Sequence, residues 1–272
     1  MPGYLGGMIV NAVPQRQGAV SPLAAELPAG CLALAELAGS VLGTAVNVVP
    51  QSEATSSTVD GVANREVLVG ANRAAQLAAL EAPGGKVLTI GGDCGVELVP
   101  VGVARFRYGH GLAAAWFDAH ADLNTAESSP SGAFHGMVLG SLLGQGDADF
   151  AASPALERAV LIGARAFDDV EREAVDSGLV GLVPGDPVAV RGAFEGAQCV
   201  YLHVDLDVLD PAEFDGLNYP EPGGLTVAQL VDAISALGEF DVIGAGVTEC
   251  VGTGPELRVL EPVLAAIGAL LA

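Results

Sequence analysis

Lysine is almost missing from this chain. Lys86 is the only one, and 11 basic residues face 33 acidic ones, for a formal charge of −22. A surface this acidic repels phosphate backbones and anionic lipid, which argues against nucleic acid and membrane surfaces as partners. It attracts cations instead: metals, or a small guanidinium or amine. Aromatic residues make up only 5%, so alanine, valine, leucine and glycine must fill the core. The four cysteines (Cys31, Cys94, Cys199, Cys250) are widely spaced with no CxxC pair. That fits reduced thiols in a cytosol better than a disulfide framework. The opening MPGYLGGMIVNAV has no Lys or Arg before its apolar run, so it lacks the charged start of a signal peptide. No uninterrupted apolar run approaches the roughly 20 residues that span a bilayer. The expectation is a soluble cytoplasmic protein.

Hydrophobic residues make up 51% of the 272, enough for a substantial core. Short apolar runs predict strands at 7–13, 45–49, 86–90, 113–118, 159–164, 179–183, 199–205 and 242–248. Runs such as KVLTI, LAAAWF and CVYLHV are continuous rather than alternating, as expected of strands covered on both faces. Between them lie helical segments at 21–39, 61–82, 94–108, 135–145, 168–177, 188–195, 226–237 and 255–271. This alternation predicts an α/β fold with a mainly parallel sheet between helices. Residues 50–60 and 124–134 read as loops, and no linker divides the chain, so residues 1–272 are expected to form a single domain. In such a sheet the ligand site lies beyond the carboxyl ends of the strands.

The chemistry-bearing residues fall just there. LTIGGDC ends in Gly91-Gly92-Asp93-Cys94. WFDAHADLN places Asp118, His120 and Asp122 two residues apart, and HVDLDVLDP does the same for Asp205 and Asp207. In extended chain such positions project to one face, so each run aims its ligands at one point. Asp118, Asp122, Asp205 and Asp207 bring four negative charges into a small volume, a costly arrangement unless compensated. Two divalent cations would match that charge. Oxygen-rich ligation with an imidazole suits Mn²⁺, so two Mn(II) per chain are expected, activating a water between them.

With these residues in place, the sequence resembles the arginase, or ureohydrolase, family. GGDCG (91–95), DAHAD (118–122), SGAFHGM (131–137), DLDVLDP (205–211) and TEC (248–250) stand in that family's order, over roughly residues 85–260. The resemblance implies a three-layer αβα sandwich with an eight-stranded, mainly parallel sheet. It also implies hydrolysis of a guanidino or amidino C–N bond through a metal-bridging hydroxide, on a small cationic guanidino substrate. Members are commonly trimers or hexamers, so a homo-oligomer is implied. Carried over, Asp118 and Asp205 match bridging carboxylates. Asp122 completes the first metal's shell, and His120 and Asp207 the second's. His135 matches a proton-shuttling or orienting histidine, and Glu249 the carboxylate that pairs with the substrate guanidinium. A carboxylate at a buried strand end needs a partner, which a cationic substrate would supply.

Asn124 and Ser131 match residues that hold a substrate carboxylate. Asp168 matches one that holds an α-amino group, and Glu171 a nearby acidic position. These favour arginine or an arginine-like amino acid releasing urea. Ala133, Ala166 and Tyr219 depart from the pattern, and Asp168 and Glu171 also read as the acidic first turn of a helix. Agmatine, a guanidino acid and a formimino compound stay open as substrates. So does a catalytically weak homologue that binds only a metal or a guanidino ligand.

Cys94 is the sharpest departure, since most members carry there a histidine bound to the first, more exposed metal. It reads in three ways: as a thiolate ligand shifting preference from Mn²⁺ toward Zn²⁺, Co²⁺ or Fe²⁺; as an unbound thiol leaving the first site weak or empty; or as a nucleophile. A similar exchange occurs in the branch of the family that hydrolyses Nω-hydroxy-arginine, although that branch departs from DAHAD and HGM. His203 is expected to hydrogen-bond behind the metals rather than ligate one. Asp93 is expected to bond backbone amides or a ligand, and Gly91 and Gly92 to let the chain turn sharply. His110 reads as a surface residue.

Overall fold

Burial on both faces governs the centre of the sheet. The structure, a computed structural model, describes residues 7–81, 85–109, 111–151 and 155–272; His110 lies outside them. Eight strands form one sheet: β1 (Ile9–Val13), β2 (Val46–Val48), β3 (Val87–Gly91), β4 (Leu112–Phe117), β5 (Arg158–Ile162), β6 (Gly181–Val183), β7 (Cys199–Asp205) and β8 (Val242–Thr248). Their order is β2-β1-β3-β8-β7-β4-β5-β6, and every pairing within the sheet is parallel. The sequence predicts a mainly parallel sheet, and the strands are wholly so. Strands β4, β7 and β8 bury every residue, as their unbroken apolar runs require.

Alternation along the strands divides the core into two layers. On β7, Val200, Leu202 and Val204 face the helices Leu27–Leu42, Pro187–Ala193, Val227–Ser235 and Glu261–Leu271. Cys199 and Tyr201 face the helices Leu98–Tyr108 and Val138–Leu142. His203 and Asp205 continue this second row by the two-residue repeat. The result is the expected αβα sandwich. The stretch Ala24–Leu42 is apolar and long enough to cross a bilayer by composition alone. Here Leu27, Cys31, Leu34, Ala35 and Ala38 are buried in one of the helical layers.

One helix is not as the sequence predicts. The segment expected at 61–82 is a short turn (Arg65–Val67), a wide π turn (Leu68–Asn72) and a helix (Arg73–Leu80). The distortion falls where Asn72 is completely buried. Its Oδ1 accepts from Ser52 N at 2.9 Å, and its Nδ2 donates to Gln15 Oε1 at 3.1 Å. Such inserted turns commonly let a side chain meet a tertiary partner. At the centre of the sheet, β3, β8, β7 and β4 lie side by side. Their carboxyl ends deliver Cys94, Glu249, Asp205 and Asp118 to one place.

Candidate metal centre and cleft

The predicted ligands do meet. Donor atoms of Asp118, His120 and Asp207 lie within 4.8 Å of one another, as do those of Cys94, Asp118, Asp122 and His203. Asp118 belongs to both groups. Asp205 stands beside the second, its Oδ2 accepting from Cys94 Sγ at 3.0 Å. The strand ends hold these carboxylates by local backbone bonds. Asp118 Oδ1 accepts from His120 N at 2.6 Å, and Asp205 Oδ1 from Asp207 N at 2.8 Å. Asp207 Oδ1 accepts from Ala119 N at 3.0 Å, tying the two motifs together. Two residues at the site carry backbone strain: Asp122 (φ 55°) and Glu249 (φ 66°) are in the left-handed region that non-glycine residues seldom occupy.

The cluster around His120 is internally satisfied. His120 Nδ1 is 2.9 Å from Asp207 Oδ2 and 3.5 Å from Asp118 Oδ1. Burial opposes charge on that imidazole, yet the two carboxylates hold its pKa far above the ordinary histidine value. Burial also works against ionised Asp207, but His120 overcomes it and keeps that carboxyl below its usual range. The cluster around Cys94 lacks such compensation. Burial first, and neighbouring carboxylates second, push Asp122 and Asp205 well above the ordinary carboxylate range. Asp118, which the two clusters share, is raised by burial and by Asp207. Asp122 Oδ2 is buried with no hydrogen-bond partner. A buried, unpartnered carboxylate oxygen beside imidazole, thiol and further carboxylates is a donor set that fits a divalent cation.

Cys94 is 1% exposed. Its Sγ is 3.0 Å from Asp205 Oδ2, 3.0 Å from Thr248 Oγ1 and 3.7 Å from His203 Nε2. Burial pushes its thiol well above the usual value. Cys94 lies behind Asp205 rather than in the lining of the cleft described below, a placement that suits a ligand better than a nucleophile toward substrate. The side of the site expected to be more exposed is the buried one here. The His120 side chain is 31% exposed, whereas Cys94 and His203 are enclosed.

Above the clusters opens a cleft of about 410 Å³ lined by His120, Asp122, Asp205, Asp207, His135 and Glu249. Its rim carries Asn124, Ser131, Asp168 and Glu171, together with Ala133, Ala166 and Tyr219. Asn124 Nδ2 donates to Asp168 Oδ2 at 2.7 Å. Asp168 and Glu171 form a reciprocal capping box at the start of the helix Asp169–Asp176. The helix-starting reading is therefore met, in residues that also line the cleft. Ser131 Oγ accepts from Ala133 N at 3.2 Å.

Glu249 lines the cleft. Its carboxylate already has protein partners: Oε1 accepts from Cys94 N at 2.9 Å and lies 3.0 Å from His135 Nδ1, and Oε2 accepts from Asn218 Nδ2 at 2.7 Å. The buried strand end is satisfied without a substrate. Burial opposes a charge on His135, but Glu249 raises its pKa above the ordinary value. Asp93 does bond backbone amides, from Gly18 at 2.9 Å and Gly95 at 2.9 Å, with Gln15 Nε2 at 3.0 Å. Burial and Glu249 push its carboxyl up to about 6. Gly91 and Gly92 are needed for close approach rather than for a left-handed turn. A Cβ on Gly92 would stand 1.8 Å from Gln15 O, and one on Gly91 would stand 2.4 Å from Val96 Cγ2.

Sequence reasoning missed Asn218, Thr248, Trp116 and Glu97. Trp116 Nε1 donates to Asp118 Oδ2 at 3.2 Å, and its ring stacks on His203 with centroids 3.7 Å apart. A signal existed for Trp116, which sits two residues before Asp118 and therefore shares its face. Asn218 lies in a loop with no motif of its own.

A family model described as the arginase family matches residues 49–253. The arginase of Bacillus caldovelox is 33% identical over 173 residues, covering 57% of this chain and 58% of that protein. The chain thus spans little more than half the length of that relative. An N(omega)-hydroxy-L-arginine amidinohydrolase of Streptomyces lavendulae is 30% identical over 189 residues, 68% of this chain and 67% of its own. The solved arginase of Bacillus cereus superposes with a TM-score of 0.82 at 25% identity, covering 98% of each chain. The matched family segment contains both clusters and their strand ends, so this chain belongs to the arginase family.

Proposed function

We propose that the protein is a metal-dependent ureohydrolase that cleaves the guanidino C–N bond of arginine or an arginine-like amino acid. The observation that carries this reading is the pair of ligand clusters sharing Asp118 at the floor of an acidic cleft. His120, Asp118 and Asp207 would hold one divalent cation, with Mn²⁺ suited to their nitrogen and oxygen donors. Asp122, with its unpartnered Oδ2, would hold the other with its neighbours. Bound there, the cations would supply nucleophilic water at neutral pH.

The chain's own residues do the rest. Carboxylates around the cleft attract the cationic guanidinium and hold it over the clusters. His135, whose charged form is opposed by burial but favoured by Glu249, would deliver a proton to the leaving amine. Asn218 and the Cys94 amide fix Glu249, so that His135 is aimed rather than free. Asn124, Ser131 and Asp168 at the rim would take the carboxylate and amino ends of the substrate. A reduced compartment suits the four buried free cysteines.

Nω-hydroxy-arginine is the second substrate reading. Cys94 supports it, together with the similarity to the Streptomyces lavendulae protein. Urea or hydroxyurea release by Mn²⁺-loaded protein from arginine, Nω-hydroxy-arginine and agmatine tests both. Amino-acid substrates are expected to exceed agmatine by about tenfold or more in kcat/KM, the worth of one charged contact. A preference for agmatine would overturn the rim assignment, and no release from any of them would overturn the activity.

A further inference from the structure

The geometry points to His203 as the imidazole ligand of the first metal site, where Cys94 stands in place of a histidine. Resting on the dinuclear reading above, this makes the site a Cys94, His203, Asp118, Asp122 set suited to Zn²⁺ or Co²⁺ rather than Mn²⁺. Donor atoms of these four side chains already lie within 4.8 Å of one another. His203 Nε2 is 3.7 Å from Cys94 Sγ, a spacing that two donors on one small cation can share. Cys94 and His203 are enclosed at 1% and 0% exposure, and Asp122 Oδ2 beside them has no hydrogen-bond partner. Four donors of mixed sulfur, nitrogen and oxygen character favour a tetrahedral, borderline-soft cation. The His120, Asp118, Asp207 group offers no sulfur and keeps its preference for Mn²⁺.

The surroundings of His203 are those of a ligand. Its ring is held flat by stacking on Trp116 at 20°. Its far nitrogen, Nδ1, is buried without a hydrogen-bond partner and lies 3.8 Å from Glu97 Oε1. Glu97 is itself completely buried, and neither of its carboxylate oxygens has a hydrogen-bond partner. At 3.8 Å the Glu97 carboxylate is just outside hydrogen-bond range of Nδ1; closing that gap on metal binding would fix the tautomer and direct the other nitrogen's lone pair at the cation. Gly246 on β8 makes room for it: a Cβ there would stand 1.6 Å from Glu97 Oε1. Glu97 is thus a positioning residue for His203.

The test strips the full chain with chelator and reloads it with equal Mn²⁺ and Zn²⁺, reading metal content by mass spectrometry. A Co²⁺-loaded sample is read by absorption. Wild type should hold one Zn and one Mn per chain, and its cobalt form should show a thiolate-to-metal charge-transfer band. Cys94→Ser should remove that band. His203→Gln should lose the Zn and keep the Mn, and Cys94→His added to His203→Gln should regain a first-site metal, which separates ligand loss from misfolding. Glu97→Gln should weaken first-site affinity by about 10–100-fold while the second site is unmoved. Two tightly held metals in His203→Gln, or an unchanged cobalt band in Cys94→Ser, would overturn the assignment. A wild type that holds no metal at either site would instead overturn the dinuclear reading.

Discussion

Two halves of one site solve the same electrostatic problem differently. Around His120, an imidazole sits 2.9 Å from Asp207 and each carboxylate has a donor. Around Cys94, the nearest groups are a thiol, raised carboxylates and an imidazole whose Nδ1 has no partner. The first half is compensated by the protein alone, the second only by what it binds. Compensation by a fixed side chain gives a centre that persists without its ligand. Its absence gives a centre whose stability is coupled to loading.

Removing the residue common to both halves should abolish the difference outright. Asp118→Asn is expected to strip both metals and lower substrate turnover by at least about 1,000-fold, roughly 4 kcal/mol of barrier, measured as urea release alongside metal content. Charge removal in one half at a time should separate them in the metal-free protein. Asp122→Asn removes a buried carboxyl whose ionised form is disfavoured and should stabilise by about 1–3 kcal/mol at a pH high enough to ionise it, whereas Asp207→Asn breaks the pair with His120 and should destabilise by a similar amount. Denaturant unfolding in chelator reads both, and equal signs would dissolve the comparison.

The central strands were legible because burial on both faces writes itself as unbroken apolar runs such as KVLTI and LAAAWF, while the edge strands β2 and β6 are short and largely exposed. The carboxylates and His120 were legible because a two-residue repeat at a strand end is a one-dimensional record of a shared face. Glu97 was not, since in VELV it reads as an ordinary polar position at a helix start. Its meaning depends on His203 arriving from a distant strand. The π turn at Leu68–Asn72 was hidden for the same reason: Asn72 meets Gln15 and Ser52 only in the folded chain.

Acidity sharpens the comparison further. Asp93 rises from 3.8 to about 6, and Asp118, Asp122 and Asp205 are also raised. A carboxyl whose folded pKa exceeds its unfolded value contributes stability that is complete below the unfolded value and lost as pH rises through the folded one. Metal-free protein should therefore lose stability between about pH 4 and pH 6, Asp93 alone accounting for on the order of 2–3 kcal/mol. Thermal melts across that range, with and without added divalent cation, check the sign, and bound cation should flatten or reverse the slope. The smallest effect is expected at the rim. Asp168→Ser keeps a helix-capping hydroxyl, so the melting temperature should hold while KM for an amino-acid substrate rises about tenfold. A fall in melting temperature without a change in KM would mark Asp168 as a cap alone.

Gly246 carries a historical implication. A Cβ there would stand 1.6 Å from Glu97 Oε1, the tip of a side chain that is itself completely buried, so growth at 246 is coupled to the placement of that carboxylate. A descendant lineage in which Gly246 has been replaced should therefore show Glu97 either shortened or turned away from His203, although neither residue lines the cleft.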